Sequence, residues 1–184
     1  TCIYGASGIG KSTLTDIIMG LINPNKGKVL VDGHILNKKN INSWHDKIGY
    51  IGQSFYLLND GLLKNIIFRS KQKSISKAKK IAKIFFKKDE LKTLVNKKTV
   101  GENGKLISFG QKQRLLLSRL IYQNKKIIIL DEPTSNLDKK NAEIFKNIVS
   151  KLKKSKTIII ITHDQDIKKY SDKIINLEAI AKKS

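Results

Sequence analysis

The sequence predicts an α/β fold, a mainly parallel sheet with flanking helices and an inserted helical segment. Three observations predict it. A short apolar strand, Cys2-Ile3-Tyr4, runs through a glycine-rich loop into a helical stretch over residues 14–22. Two continuous apolar runs, Ile127-Ile128-Ile129-Leu130 and Thr157-Ile158-Ile159-Ile160-Ile161, have the character of strands covered on both faces, as strands of parallel sheets are. Residues 62–94, between the first strand and these two runs, contain no glycine or proline, are rich in lysine and read as helix.

The loop Gly5-Ala6-Ser7-Gly8-Ile9-Gly10-Lys11-Ser12-Thr13 fits the phosphate-loop pattern G-x-x-x-x-G-K-[ST]. Glycines let the backbone turn tightly enough for successive N–H groups to converge on a phosphate, and the helix that follows adds the positive end of its dipole. Lys11 is placed to reach the outer phosphates and Ser12 to hold Mg²⁺. A nucleoside triphosphate site is the reading this context favours.

Asn23-Pro24-Asn25-Lys26-Gly27 is a turn, and Lys28-Val29-Leu30-Val31 before Asp32-Gly33 implies a short hairpin. Residues 41–47 predict a brief helix. Ile48-Gly49-Tyr50-Ile51 predicts a strand that delivers Gln53 to its end, and ligands of open α/β sheets gather at the carboxyl ends of the strands. Over residues 76–88, Ala78, Ile81, Ala82 and Phe85 fall at helical spacing, with lysines mostly elsewhere on the surface. The loop Thr99-Val100-Gly101-Glu102-Asn103-Gly104 leads to Ile107-Ser108-Phe109-Gly110-Gln111, which opens a helix reaching Tyr122. Ser108 is an ordinary N-cap residue type, and a helix start is also an anion site.

The run ending at Leu130 delivers Asp131 and Glu132. Two carboxylates at a buried strand end are costly unless a cation or a reaction uses them, which points to Mg²⁺ at Asp131 and base chemistry at Glu132. After Pro133, Ser135-Asn136-Leu137-Asp138 is a polar loop. Residues 140–154 predict an amphipathic helix with Ile144, Phe145, Ile148, Val149 and Leu152 inward. The next strand delivers His163 to its end, the same position relative to the sheet. His34 and His45 read as surface residues and Trp44 as packing. Residues 174–177 predict a last strand, and the tail from Glu178 carries no signal.

At 184 residues and 40% hydrophobic content, the chain is expected to form one domain with an inserted lobe. Lys and Arg number 37 against 15 Asp and Glu, a net +22 that invites an anionic partner. The excess is spread along the chain as lysine mixed with Ile and Asn, so it reads as compositional bias as much as a binding patch. The single Cys2 excludes an internal disulfide and reads as a small buried strand residue. No apolar run approaches the ~18 residues needed to cross a bilayer. The sequence opens almost inside the phosphate-loop strand, and it is expected to be a fragment that lacks the first strands of its domain.

Taken together, the motifs resemble the nucleotide-binding domain of an ABC transporter, over nearly the whole chain. Residues 5–12 match Walker A, Gln53 the Q-loop, residues 107–111 the signature, residues 127–132 Walker B, residues 135–138 the D-loop and His163 the switch histidine. The loop at residues 99–104 and the stretch Tyr56-Leu57-Leu58-Asn59-Asp60-Gly61 resemble the exporter branch. The resemblance implies the ABC ATPase form of the P-loop NTPase fold over residues 1–184, with residues 62–122 as a helical subdomain. It implies ATP and Mg²⁺ as ligands, and ATP hydrolysis coupled to export of a lipid, glycolipid, peptide or drug.

By the same resemblance, two such domains sandwich two ATPs head to tail. Glu132 would activate the attacking water, and His163 would contact the γ-phosphate. Ser12, Gln53 and Asp131 would face Mg²⁺, and Ser108, Gly110 and Gln111 would complete the partner domain's site. The expected partners are a transmembrane domain, upstream in the same polypeptide, and a second nucleotide-binding domain, at the cytoplasmic face of the membrane; nucleic acid is not expected.

Three departures stand out: Phe109 occupies the first glycine of the signature, which is expected to alter the site; Gly52 replaces the usual proline before Gln53, which is expected to loosen that loop; and the aromatic residue that stacks on adenine in the family is expected upstream of Thr1. The alternative is a soluble ABC ATPase acting on ribosomes or nucleic acid, motivated by charge. The span from Gln53 to Ser108 leaves no room for the coiled-coil arm of the DNA-repair kind. A degenerate regulatory nucleotide binder is the third reading, with only Phe109 in its favour.

Overall fold

Among the described residues, 1–52, 54–70 and 73–181 of a computed structural model, five strands pair into one parallel sheet. They are β1 (Cys2–Tyr4), β4 (Ile48–Ile51), β5 (Ile127–Asp131), β6 (Thr157–Thr162) and β7 (Ile174–Asn176), in the order β4-β5-β6-β1-β7. The pairing sets Ile51 beside Leu130, Asp131 beside Ile161, and Tyr4 between Thr162 and Asn176. All the strands run the same way, so everything the sequence places after a strand arrives at one edge.

Side chains alternate along a strand, and the isoleucine runs are sorted by that alternation. Ile128, Leu130, Ile158 and Ile160 enter the larger core, while Ile129 and Ile161 enter a smaller one with Ile3, Ile48, Met19 and Trp44. The smaller core lies under α1 (Lys11–Met19) and α2 (Ile41–Lys47). The larger lies under the helices on the other face, α3 (Leu62–Ile67), α4 (Ile75–Phe85), α5 (Lys88–Asn96), α6 (Phe109–Tyr122) and α7 (Lys139–Leu152). A short α8 (Leu177–Ala181) follows β7. Helix α1 stops at Gly20, whose φ of 72° lets its own N–H and that of Leu21 cap the last turn through Ile17 O and Asp16 O.

The predicted hairpin forms as β2 (Leu30–Val31) and β3 (His34–Ile35), joined by Asp32 and Gly33 at φ 49° and 81°, the paired left-handed conformation of a two-residue turn. The expected helix over residues 76–88 ends sooner than its pattern suggests. Phe85 and Phe86 are both buried, and adjacent residues on a helix point about 100° apart. The chain resolves this by extending at Phe86 (φ −124°, ψ 139°) and restarting as α5 at Lys88. In α7 only Phe145 and Val149 are fully buried, while Ile144, Ile148 and Leu152 are half-buried along a groove against α4. Leu177, read as strand, starts α8.

Cys2 is fully buried between its neighbouring strands, and burial pushes its thiol pKa up, as befits an inert core residue. No helix among the described residues is long and apolar enough to cross a membrane.

Candidate nucleotide-binding site

The carboxyl edge of the sheet brings together residues far apart in sequence. After β1 the chain enters the phosphate loop, where Gly8 and Gly10 take φ values of 83° and 95°, conformations a side chain resists. Gly10 caps α1 without a side-chain acceptor, so among the described residues the first-turn N–H groups of Lys11, Ser12 and Thr13 meet no capping oxygen. The Lys11 amine arches back over the loop and donates to Gly5 O (2.8 Å) and Ala6 O (2.9 Å). Thr15 donates to Lys11 O at 2.9 Å and holds the first turn. This uncapped, lysine-covered helix start has the donors a phosphate chain requires.

Two strands away, β5 ends in Asp131 and Glu132. Glu132 has φ 48°, an unfavourable left-handed conformation for a non-glycine residue, and its N–H donates to Ile161 O at 2.8 Å across the strand ends. That turn directs the side chain along the end of β6. Its Oε2 accepts from Thr162 Oγ1 (3.0 Å), and its Oε1 accepts from the His163 N–H (3.1 Å) and lies 2.8 Å from His163 Nδ1. A carboxylate can only accept, so this last contact places a proton on Nδ1 and leaves Nε2 outward. The Glu132 side chain is 9% exposed and that of His163 67%, so the acid is held from within and the imidazole faces solvent.

Asp131 stands on the other face of the strand end. Its Oδ2 accepts from the Tyr50 hydroxyl at 3.1 Å. Burial raises the Asp131 carboxyl pKa, with the Tyr50 hydrogen bond and Lys11 acting against that shift and Glu132 and Asp16 adding to it. The same contact, behind the larger effect of burial, pushes the Tyr50 phenol up to about 12.

The signature segment lies at the start of α6. Ser108 and Gln111 form a reciprocal capping box: Ser108 Oγ accepts from the Gln111 N–H at 3.2 Å, and Gln111 Oε1 accepts from the Ser108 N–H at 2.9 Å. The Gln111 amide also donates to Glu90 Oε1 (3.0 Å), which holds the Arg114 guanidinium at 2.6 Å. Gly110 is packed so closely that a Cβ there would sit 3.1 Å from Asn141 of α7. Phe109 does not need a glycine's backbone, since its φ is not positive, and its ring meets Phe55 at 5.9 Å between centroids. Among the described residues no hydrogen bond joins Ser108, Gly110 or Gln111 to residues 5–13 of the same chain.

The structure thus brings Lys11, Ser12, Asp131, Glu132 and His163 to one edge and sets the signature residues apart from them. Gln53 lies outside the described residues. Sequence reasoning missed three partners of this edge. Tyr50 was readable only as a strand residue, and Thr162 only as the end of an apolar run. Glu178, assigned to a tail without signal, is corrected by the structure: its Oε1 accepts from the Ala6 N–H at 2.8 Å. No spacing rule connects residues so far apart, and the contact exists because β7 lies beside β1.

Known proteins are similar to this chain in sequence and fold. A family model described as ABC transporter matches residues 1–135. The chain is 38% identical over 179 residues to the alpha-hemolysin translocation ATP-binding protein HlyB of Escherichia coli O6:H1, covering 96% of this chain and 25% of that protein. It is 31% identical over 179 residues to the ATP-dependent lipid A-core flippase of Escherichia coli K12, covering 96% of this chain and 31% of that one. The chain therefore spans between a quarter and a third of the length of these relatives.

A solved bacterial Atm1-family ABC exporter with ATP bound superposes with a TM-score of 0.84 at 28% identity, over 95% of this chain and 31% of that one. The dimeric ABC transporter cassette MJ0796 superposes with a TM-score of 0.74 at 28% identity, over 95% of this chain and 79% of the cassette. The fold is the ABC ATPase fold, and the chain belongs to the ABC transporter family.

Proposed function

We propose that this chain is a nucleotide-binding domain that binds and hydrolyses ATP and so powers export across a membrane. The observation that carries the reading is the Glu132 carboxylate, fixed by Thr162 and His163 on the same sheet edge as the lysine-covered phosphate loop. A base held by both oxygens, next to an uncapped helix start, suits attack of water on a terminal phosphate. In this reading residues 5–13 cradle the phosphates and Lys11 turns from the loop carbonyls to the outer phosphates. Glu132 orients and deprotonates the water, and His163 presents Nε2 to the transferring group. Ser12, Asp131 and Gln53 hold magnesium, which when bound neutralises charge on the phosphate oxygens.

Residues 62–122 form the helical subdomain. Ser108, Gly110 and Gln111, which make no hydrogen bond to the chain's own loop among the described residues, serve the site of a second nucleotide-binding domain in a head-to-tail dimer. The dimeric cassette and the exporter relatives support that arrangement, together with a transmembrane partner and a place at the cytoplasmic face of a membrane. A translocated peptide or a lipid is the substrate class that the relatives' names favour.

ATP turnover and ATP binding of the Lys11→Ala and Glu132→Gln variants test the reading. Lys11→Ala is expected to lose ATP binding. Glu132→Gln is expected to keep binding and lose turnover by about 100-fold or more. Turnover of Glu132→Gln at the parent rate would remove Glu132 from the role of base.

A further inference from the structure

The Tyr50–Asp131 contact and the glycine at 52 explain each other. Tyr50 is half-way along the edge strand β4, opposite Ile129, and its ring extends along the strand end to the Walker B carboxylate. A Cβ at position 52 would overlap the Tyr50 hydroxyl and lie 2.6 Å from its Cζ. Residue 52 does not have a positive φ, so a left-handed backbone is not what calls for glycine there. The space is what requires it. The departure that the sequence presents as a loosened loop is thus filled by an aromatic ring, which ties the strand before Gln53 to Asp131.

We infer that Tyr50 is a positioning residue for Asp131, its hydroxyl fixing one carboxylate oxygen so that the other is directed at the divalent cation, and that Gly52 exists to admit it. This rests on the reading of Asp131 as a residue that holds the metal. A carboxylate that is free to rotate spreads its lone pairs over many directions, whereas one with Oδ2 engaged presents Oδ1 in a fixed one. Loss of a residue that orients a metal-holding group in this way typically costs about 10- to 100-fold in metal affinity. The Tyr50 hydroxyl can orient Asp131 because it donates to the carboxylate from beside it, 3.1 Å from Oδ2. Lys11, Asp16 and Glu132 supply the remaining charges around Asp131.

The test is Mn²⁺ binding in the presence of ATP, followed by electron paramagnetic resonance, alongside ATP binding in EDTA. Tyr50→Phe is expected to weaken Mn²⁺ by about tenfold and leave metal-free ATP binding unchanged. Gly52→Ala, which displaces the ring tip, is expected to weaken Mn²⁺ by the same factor, and the double variant no further. A Tyr50→Phe chain with the parent's Mn²⁺ affinity overturns the inference. Effects of the two substitutions that multiply instead of merging overturn the role assigned to Gly52. Asp131→Asn separates the two levels: if it too leaves Mn²⁺ binding intact, the metal-holding role of Asp131 falls first, and if it alone weakens binding, only the role of Tyr50 falls.

Discussion

Asp131 illustrates a conflict between stability and function at a single residue. Burial raises its pKa above the ordinary 3.8. The folded state therefore binds the proton more tightly than the unfolded chain does. That preference is fully expressed below pH 3.8 and is lost as the pH rises through the folded value, so near neutrality the ionised carboxylate is a cost. Asp131→Asn, which keeps an acceptor for Tyr50, should make the ligand-free chain more stable at pH 7, by less than about 1 kcal/mol because the group is half in water. Urea unfolding at pH 7 and at pH values lowered toward 3.8 checks both the sign and its decline toward acid. Phe109 is the opposite case, a departure from the family's motif that adds contact. Its ring pairs with Phe55, so Phe109→Gly should destabilise the chain by about 1 kcal/mol whatever it does to turnover.

At the scale of elements, α6 joins the signature to the helical side of the molecule. Its Arg119 is buried and donates to Asn65 O, Tyr56 O and Asn65 Oδ1, clamping the start of α3. Burial lowers the Arg119 pKa to about 10. Arg114 is buried against Glu90, and its Nε has no hydrogen-bond partner among the described residues. Glu90→Ala would leave that guanidinium without an acid and is expected to cost about 3 kcal/mol. Ser108→Ala, which removes one half of the capping box, should cost about 1 kcal/mol. Urea midpoints distinguish the two.

These connections mark what the sequence could reveal. Walker A, the isoleucine strands and the Ser108 cap depend on spacing within one element, and spacing is visible. The break at Phe86 depends on two neighbouring phenylalanines competing for burial, and the Glu90, Tyr50 and Glu178 contacts depend on which elements lie side by side. Those are set by packing, and a linear pattern holds no trace of them.

For the molecule as a whole, a net +22 is a standing repulsion. Among the described residues few acids are placed to answer it, and three of the ion pairs, Lys64–Asp60, Lys105–Glu102 and Lys169–Asp166, are local and exposed. Such pairs contribute little. Screening should therefore stabilise the fold: raising salt from ~20 to ~300 mM is expected to lift the melting temperature by a few degrees, where a charge-neutral domain would show little change. Binding to duplex DNA or RNA is expected to disappear by ~200 mM salt, and complexes that persist there would revive a nucleic-acid role.

The position of β1 has a consequence for how the chain is made. Its two neighbours in the sheet are β6 and β7, so Cys2 waits for Ile160 and Ile174, and Ala6 for Glu178. A ribosome delivers the first residues earliest and their partners last. The phosphate loop emerges at the start of this stretch yet acquires its final shape only when the stretch is almost fully translated, after every local helix has had time to form. Nascent chains arrested before residue 157 should contain helix and remain open to protease at the loop, and the ability to hold a nucleotide should appear abruptly rather than grow with length.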